Sequence, residues 1–142
     1  MANIIPDSFK SELLKGTHNF ASSGGDSFKL ALYTDISSLS ASTTAFTTTN
    51  EVSTSGTNYT SGGNALTNSG VSVASNTAFI DFADLTFSSV TLSAVGAMIY
   101  NDDNSDKICL ILDFGGTKTA TNGDFIIQFP AAGASTAIFR IA

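Results

Sequence analysis

Residues 90–114 read VTLSAVGAMIYNDDNSDKICLILDF and contain the clearest strand pattern of the chain. Two apolar runs, residues 90–100 and 108–114, flank the polar run Asn101–Asp106. In the first run the apolar residues occupy both parities: Val90, Leu92, Ala94, Met98 and Tyr100 on one, and Val95, Ala97 and Ile99 on the other. This pattern predicts a strand that is covered on both faces. The polar run predicts the turn of a hairpin between the two strands.

Shorter alternating runs lie on both sides of this hairpin. They are Phe28–Tyr33, residues 71–73, 78–82, 125–129 and 139–141. Gly115-Gly116 and Asn122-Gly123-Asp124 predict the two ends of a further loop. Short strands separated by turn residues at a spacing of about 8–12 residues are typical of sandwiches and barrels. The sequence therefore predicts an all-β fold, an antiparallel β-sandwich.

One short helix is predicted near the start of the chain. Pro6 and Asp7 suit a helix start and Gly16 suits its end, which predicts a helix over residues 6–16. Phe9, Leu13 and Leu14 form its apolar stripe. A helix of this length is marginal alone and needs a surface to pack on. Residues 1–17 are accordingly predicted to be an N-terminal arm followed by the short helix.

Residues 34–69 form a long Ser/Thr/Gly-rich segment with few apolar anchors. Such a length is unusual for a connection within a compact domain. It is predicted to be either partly strand or a functional loop that becomes ordered against a partner.

Length and charge limit the possible functions. The 142 residues correspond to a single domain, 1–142, and the net charge is −6. The six basic residues are scattered from Lys10 to Arg140, whereas nucleic-acid binding needs several cations acting together, so no nucleic-acid partner and no anionic membrane surface is expected. No apolar run approaches the roughly 20 residues that span a bilayer, and no signal peptide is recognised, so synthesis in a cytoplasm is expected.

The residues that usually carry chemistry are few. His18 is the only histidine, and the only cysteine, Cys109, lies in an apolar strand and is predicted to be a small core residue. Asp102, Asn104 and Asp106 alternate as in a calcium loop, but Lys107 stands where that loop requires glycine, so a polar turn is favoured over a weak calcium site. No cofactor, no metal and no enzymatic activity is predicted.

Several segments, taken in order, resemble small structural proteins of tailed-bacteriophage particles. The resemblance begins with Phe9, Leu13-Leu14 and Gly16-Thr17, and continues through Phe28–Tyr33. It is clearest in residues 50–66, NEVSTSGTNYTSGGNAL, and returns in residues 96–101, 113–116 and 123–125. The similar segments therefore extend over nearly the whole chain.

This resemblance implies a jelly-roll-like sandwich and a place in the virion. Proteins of that kind sit on the capsid surface as homodimers or homotrimers and cement or decorate it by binding the major capsid protein. The alternative is a tail or fibre protein that binds the host surface. The expected partners are thus the major capsid protein and further copies of this chain.

Two segments are predicted to contact the partner. One is the N-terminal arm, and the other is the apolar part of residues 34–69. The predicted interface residues are Ile4, Ile5, Phe9, Phe46, Val52 and Tyr59.

Overall fold

A computed structural model describes residues 2–142 and contains one helix and seven strands within them. The helix α1 spans Asp7–Leu14. The strands are β1 Phe28–Tyr33, β2 Asn64–Ala65, β3 Asn68–Ala74, β4 Thr77–Phe82, β5 Leu85–Asn101, β6 Lys107–Ile127 and β7 Phe139–Ile141. All strand pairs are antiparallel. The predicted all-β class with one short N-terminal helix is confirmed.

The strands form two sheets that enclose one main core. The first sheet has the order β2-β1-β5-β6 and the second the order β3-β4-β7. Phe28, Leu30 and Leu32 of β1 share the main core with Ile80 and Phe82 of β4. Removing these side chains from water supplies most of the driving force that holds the sheets together. The fold is a β-sandwich, and its description as a jelly roll stays a prediction.

The predicted helix forms over a slightly shorter range than residues 6–16. Phe9 is fully buried, whereas Leu14 is 92% exposed and does not join the stripe that the sequence predicted. The helix ends at Leu14 and is followed, after Lys15, by Gly16, which has a φ of +73° and whose amide donates to the carbonyl of Leu13. Glycine adopts this left-handed conformation without the penalty that a side chain would add.

The first sheet is covered on its outer face by a second apolar cluster. Met98, Tyr100, Ile108 and Ile111 of β5 and β6 pack there with Tyr33. The cover comes from residues that lie outside the sheet, Ile4, Ile36, Leu39 and Phe46. The prediction that the strand in residues 90–100 is covered on both faces is therefore confirmed for residues 96–100 and wrong for residues 90–94, where Thr91 and Ser93 are exposed. Much of residues 34–50 serves as the cover.

The long hairpin β5–β6 contains a register shift that the alternation did not reveal. Ala94 pairs with Lys118, but Gly96 pairs with Asp113, so β6 carries extra residues between these two pairs. The faces of β5 also change at this point, because Leu92 and Ala94 share the main core with Ala97 and Ile99. Met98 and Tyr100, which have the same parity as Leu92, consequently point to the opposite face.

The loop predicted between Gly115-Gly116 and Asn122-Gly123-Asp124 is absent, because β6 runs unbroken over this range. Gly115 and Gly116 have φ values of +73° and +147°, and they supply the bulge that accompanies the register shift. The glycine pair thus adopts the positive φ values that a turn would require, but it does so in a bulge within a strand and not in a loop.

Candidate functional site

Several residues of types that often act in catalysis meet in one buried group. We call it the His18 cluster, and its members are Glu12, His18, Asp26, Asn101 and Cys109. His18 Nε2 lies 2.7 Å from Glu12 Oε2, and Nδ1 lies 3.0 Å from Asn101 Nδ2 and 3.9 Å from Cys109 Sγ. Glu12 lies on α1, His18 and Asp26 lie in the segment after it, Asn101 ends β5 and Cys109 lies on β6. The cluster therefore joins the N-terminal part of the chain to the β5–β6 hairpin, which is remote in sequence.

Hydrogen bonds around Asn101 define the proton positions on His18. The backbone amide of Asp103 donates to Asn101 Oδ1, and Asn101 Nδ2 donates to Asp26 Oδ2 at 2.8 Å, which fixes the orientation of the amide. Nδ2 therefore donates to His18 Nδ1 as well, and this nitrogen must carry a lone pair. Nε2 can then donate to the carboxylate of Glu12, 2.7 Å away.

The arrangement of Cys109, His18 and Glu12 has the order of a cysteine-histidine-carboxylate triad, but it does not present a nucleophile. Cys109 is 1% exposed, and the His18 side chain is fully buried. Burial, reinforced by the charges of Glu12 and Asp26, raises the pKa of the Cys109 thiol, whereas a reactive cysteine needs a lowered one. His18 Nδ1 is moreover occupied by Asn101. We interpret the cluster as a structural tie, consistent with the core cysteine that the sequence predicted.

A second polar group, the Glu51 cluster, holds the long segment against β1. It consists of Glu51, Tyr59, Ser61 and the backbone amide of Gly62. The Tyr59 hydroxyl donates to Glu51 Oε1 at 2.9 Å, Ser61 Oγ donates to Oε2 at 2.8 Å, and the Gly62 amide donates to Oε1 at 2.6 Å. Tyr59 in turn accepts the amide of Leu32 in β1 at 3.0 Å. Burial is the main cause that raises the pKa of Tyr59 well above its ordinary value.

The six predicted interface residues are distributed between the core and the surface. Phe9, Val52 and Tyr59 are buried in the main core. Ile4 forms a bridge with Ile111 and, with Phe46, packs partly buried against the outer cluster. Ile5 is 38% exposed. The fold thus brings Ile4 and Phe46 to the same outer cluster. Of the six residues, Ile5 alone has a substantially exposed side chain. Contact of any of them with a partner stays a prediction.

The most exposed apolar surface in sheet two was missed by sequence reasoning. Val71 and Val73 of β3 are 56% and 73% exposed, and Ile141 of β7 is 54% exposed. Pairing places Val73 beside Ala78 and Ala78 beside Ile141, so these side chains share one face. We call Val71, Val73 and Ile141 the β3–β7 patch. It adjoins a groove of about 690 Å³ that is lined also by Leu13 and Phe20.

Two of the three alternating residues of the turn have partners within the chain. Asp102 lies 3.2 Å from Lys29 Nζ, and Asn104 Nδ2 donates to Asp26 Oδ2 at 2.9 Å. Within residues 2–142 no group of three or more His, Cys, Asp or Glu side chains is placed to hold a metal ion.

Sequence spacing contained no signal for the His18 cluster, because its members come from distant positions.

The one helix in the described range, α1, is too short to cross a membrane. Comparison of the chain with protein-family models, with curated proteins and with solved structures found no match.

Proposed function

We propose that the protein is a structural component of a virus particle that decorates and cements the outer surface of a tailed-phage capsid by binding the major capsid protein. The observation that carries the proposal is the contrast between its interior and its surface. His18 and Cys109 are sealed inside, whereas apolar side chains such as Leu14, Val73 and Ile141 are left outside. Such a protein offers contact area and no reactive group, which is what an assembly component requires.

The polar surface supports the same proposal. The chain has a net charge of −6 and no basic cluster, so an outward-facing position suits it better than one facing packaged DNA. Its proposed location is the capsid surface of the virion, after synthesis in the host cytoplasm. No enzymatic activity and no cofactor form part of the proposal.

Rigid segments also favour a cementing role. The Glu51 cluster and the outer apolar cluster order most of residues 34–63 against the first sheet before any partner binds. A preordered surface loses less conformational entropy on binding, and many modest contacts then add up over a symmetric shell.

A particle reconstruction by electron microscopy tests the location. Purified protein is added to capsids that lack it, and density for the sandwich is expected on the outer capsid surface, against the major capsid protein. Density confined to the tail would contradict capsid decoration and would favour the alternative of a tail or fibre protein. Failure to bind particles of any kind would contradict both.

A pair of variants tests the predicted contact of the N-terminal arm. Deletion of residues 1–9 is unsuitable, because it removes the buried Phe9 and the bridge of Ile4 to Ile111. We expect Ile5→Lys to lower capsid occupancy at least tenfold. Ile126→Lys, at a position 54% exposed on β6, is the matched control and is expected to bind normally. Equal occupancy of both variants would exclude Ile5 from the interface.

A further inference from the structure

Strand β3 is a sheet edge with exposed apolar side chains, and most of it lacks the features that protect the other edges from pairing. β2 and β7 are only two and three residues long. At the edge of β6, Ile4 forms a bridge with Ile111 and Ala45 forms one with Lys107. Register shifts interrupt the pairing of the rest of β6 with β5. By contrast, Gly70–Ala74 of β3 pairs with β4 in one unbroken register, and no charged residue or proline lies in β3. Natural sheets use short strands, bulges, charges and proline to prevent edge pairing. A register shift between Asn68 and Gly70, where Gly70 has a φ of +93°, affects only the start of β3, and residues 71–74 have none of these features.

The turn between β3 and β4 determines which backbone groups face the open edge. Ser75 and Asn76 have φ values of +48° and +60°, which makes a two-residue hairpin turn with Ala74 opposite Thr77. In such a hairpin Ala74 is hydrogen-bonded to Thr77, and by alternation Ser72 also faces β4. The amide and carbonyl groups of Val71 and Val73 therefore point outward. Within residues 2–142 none of these four groups takes part in a backbone hydrogen bond outside the β3–β4 ladder.

The sequence of this edge is nearly symmetric about Ser72. Residues 69–75 read SGVSVAS, so serine matches serine, glycine matches alanine and valine matches valine on the two sides of the centre. An antiparallel strand of the same sequence would place Val71 opposite Val73 and Gly70 opposite Ala74. Each residue then meets one of similar size, which is the requirement of a self-complementary, two-fold interface.

We propose that two copies of this chain dimerise by antiparallel pairing of β3, with Ser72 on the two-fold axis. The pairing joins two three-stranded sheets into one of six strands with the order β7-β4-β3-β3-β4-β7. Val71 and Val73 exchange four backbone hydrogen bonds with Val73 and Val71 of the second copy.

The side-chain rows of the two copies match across this junction. Within one copy Phe139, Ile80 and Val71 are neighbours in one row, and Val73, Ala78 and Ile141 are neighbours in the next. Pairing Val71 with Val73 of the second copy joins these into a row of six apolar residues. The exposed part of the β3–β7 patch is thereby extended over both subunits, and apolar cross-strand pairs of this kind stabilise a sheet. The proposal rests on β3 alone and is independent of the proposed place in a virion.

The oligomeric state tests the proposal directly. Sedimentation of the wild-type protein is expected to give twice the chain mass of 14.6 kDa and no larger species, because a two-fold edge is used up by one partner. Val73→Lys, at a side chain 73% exposed, is expected to give the monomer mass with an unchanged circular dichroism spectrum. Ile126→Lys is the matched control and stays dimeric. A monomeric or trimeric wild type, or a dimer that survives Val73→Lys, would overturn the proposal.

A cysteine pair checks the register without weakening the edge. Ser72 would face Ser72 of the second copy at a non-hydrogen-bonded position with a Cα separation of about 4.5 Å, within the range for a disulfide. Ser72→Cys is expected to form a covalent dimer in air. Ala74→Cys, whose Cα would lie about 14 Å from that of its mate, is the control and stays reduced. Equal cross-linking of the two variants would exclude the proposed register.

Discussion

The two sheets of the sandwich differ in how much of their surface the chain itself covers. In β1, at the centre of the first sheet, five of six residues are buried, whereas in β3, at the edge of the second sheet, only Gly70 is. Both strands contain alternating apolar residues, FKLALY and GVSVA. What differs is the rest of the chain, because residues 34–63 and the N-terminal arm cover the first sheet. Alternation thus predicts a strand, but long connections decide whether both of its faces are covered.

The largest effect that separates the two sheets is expected at alkaline pH. All three tyrosines, Tyr33, Tyr59 and Tyr100, belong to the first sheet or its cover, and burial is the main cause that raises the pKa of each. A raised pKa means that the neutral form is favoured in the folded state. Its contribution to stability is therefore complete below the ordinary pKa of about 10 and is lost as the pH rises above it.

Each tyrosine that ionises only on unfolding can lower the free energy of unfolding by up to about 1.4 kcal/mol per pH unit above pH 10. Phenolate absorbance and circular dichroism, recorded together during alkaline titration, are expected to change in one step. Phenolate absorbance that appears near pH 10 while the fold persists would show that the cover over the first sheet is open.

The next largest effect is expected at the outer face of the first sheet. Met98 is fully buried there, so Met98→Ala is expected to lower the free energy of unfolding by about 2–5 kcal/mol. Denaturant unfolding measures this change. A loss below about 1 kcal/mol would mean that the face is solvated like an ordinary outer sheet surface.

A smaller effect is expected in the Glu51 cluster. Tyr59→Phe leaves the buried amide of Leu32 without its acceptor and removes one donor from Glu51, at an expected cost of about 1–3 kcal/mol. Faster hydrogen exchange at the Leu32 and Gly62 amides would accompany it. Ser61→Ala, which removes an exposed donor to the same carboxylate, is the control and is expected to cost less. Equal costs would mean that the buried amide of Leu32 does not govern the effect.

The smallest effect is expected at the open edge. Val73→Ala removes a side chain that is 73% exposed, so the free energy of unfolding of the isolated chain is expected to change by less than about 0.5 kcal/mol. The measurement belongs at a protein concentration low enough to keep the chain monomeric. A cost comparable with that of Met98→Ala would mean that the second sheet is covered as fully as the first.

Local patterns predicted the elements better than they predicted the faces. The helix, the strand Phe28–Tyr33 and the polar turn after Asn101 follow from periodicity and turn residues. The face of Met98 does not follow from periodicity, because β5 changes faces between Ala94 and Ala97, where its pairing with β6 is irregular. A register is set by both strands together, so alternation within one strand cannot supply it.

The candidate sites were less predictable than the fold. His18 and Cys109 were recognised as single residues, but their meeting with Glu12, Asp26 and Asn101 depends on tertiary contacts between distant segments. The sequence analysis predicted that Phe9, Val52 and Tyr59 contact a partner, but all three are buried in the main core. Large apolar and aromatic side chains are more often buried within their own chain. The exposure of Val71 and Val73 required knowledge of which strand lies at the edge.

The position of β1 has a consequence for how the protein is made. Phe28 pairs with Asn101, which lies beyond two-thirds of the way along the 142 residues, and β2 offers only two residues to β1 before then. During synthesis, therefore, Phe28, Leu30 and Leu32 leave the ribosome before β5 exists to pair with them. Long-range pairing of this kind slows folding and leaves apolar segments exposed, so that chaperones can bind them.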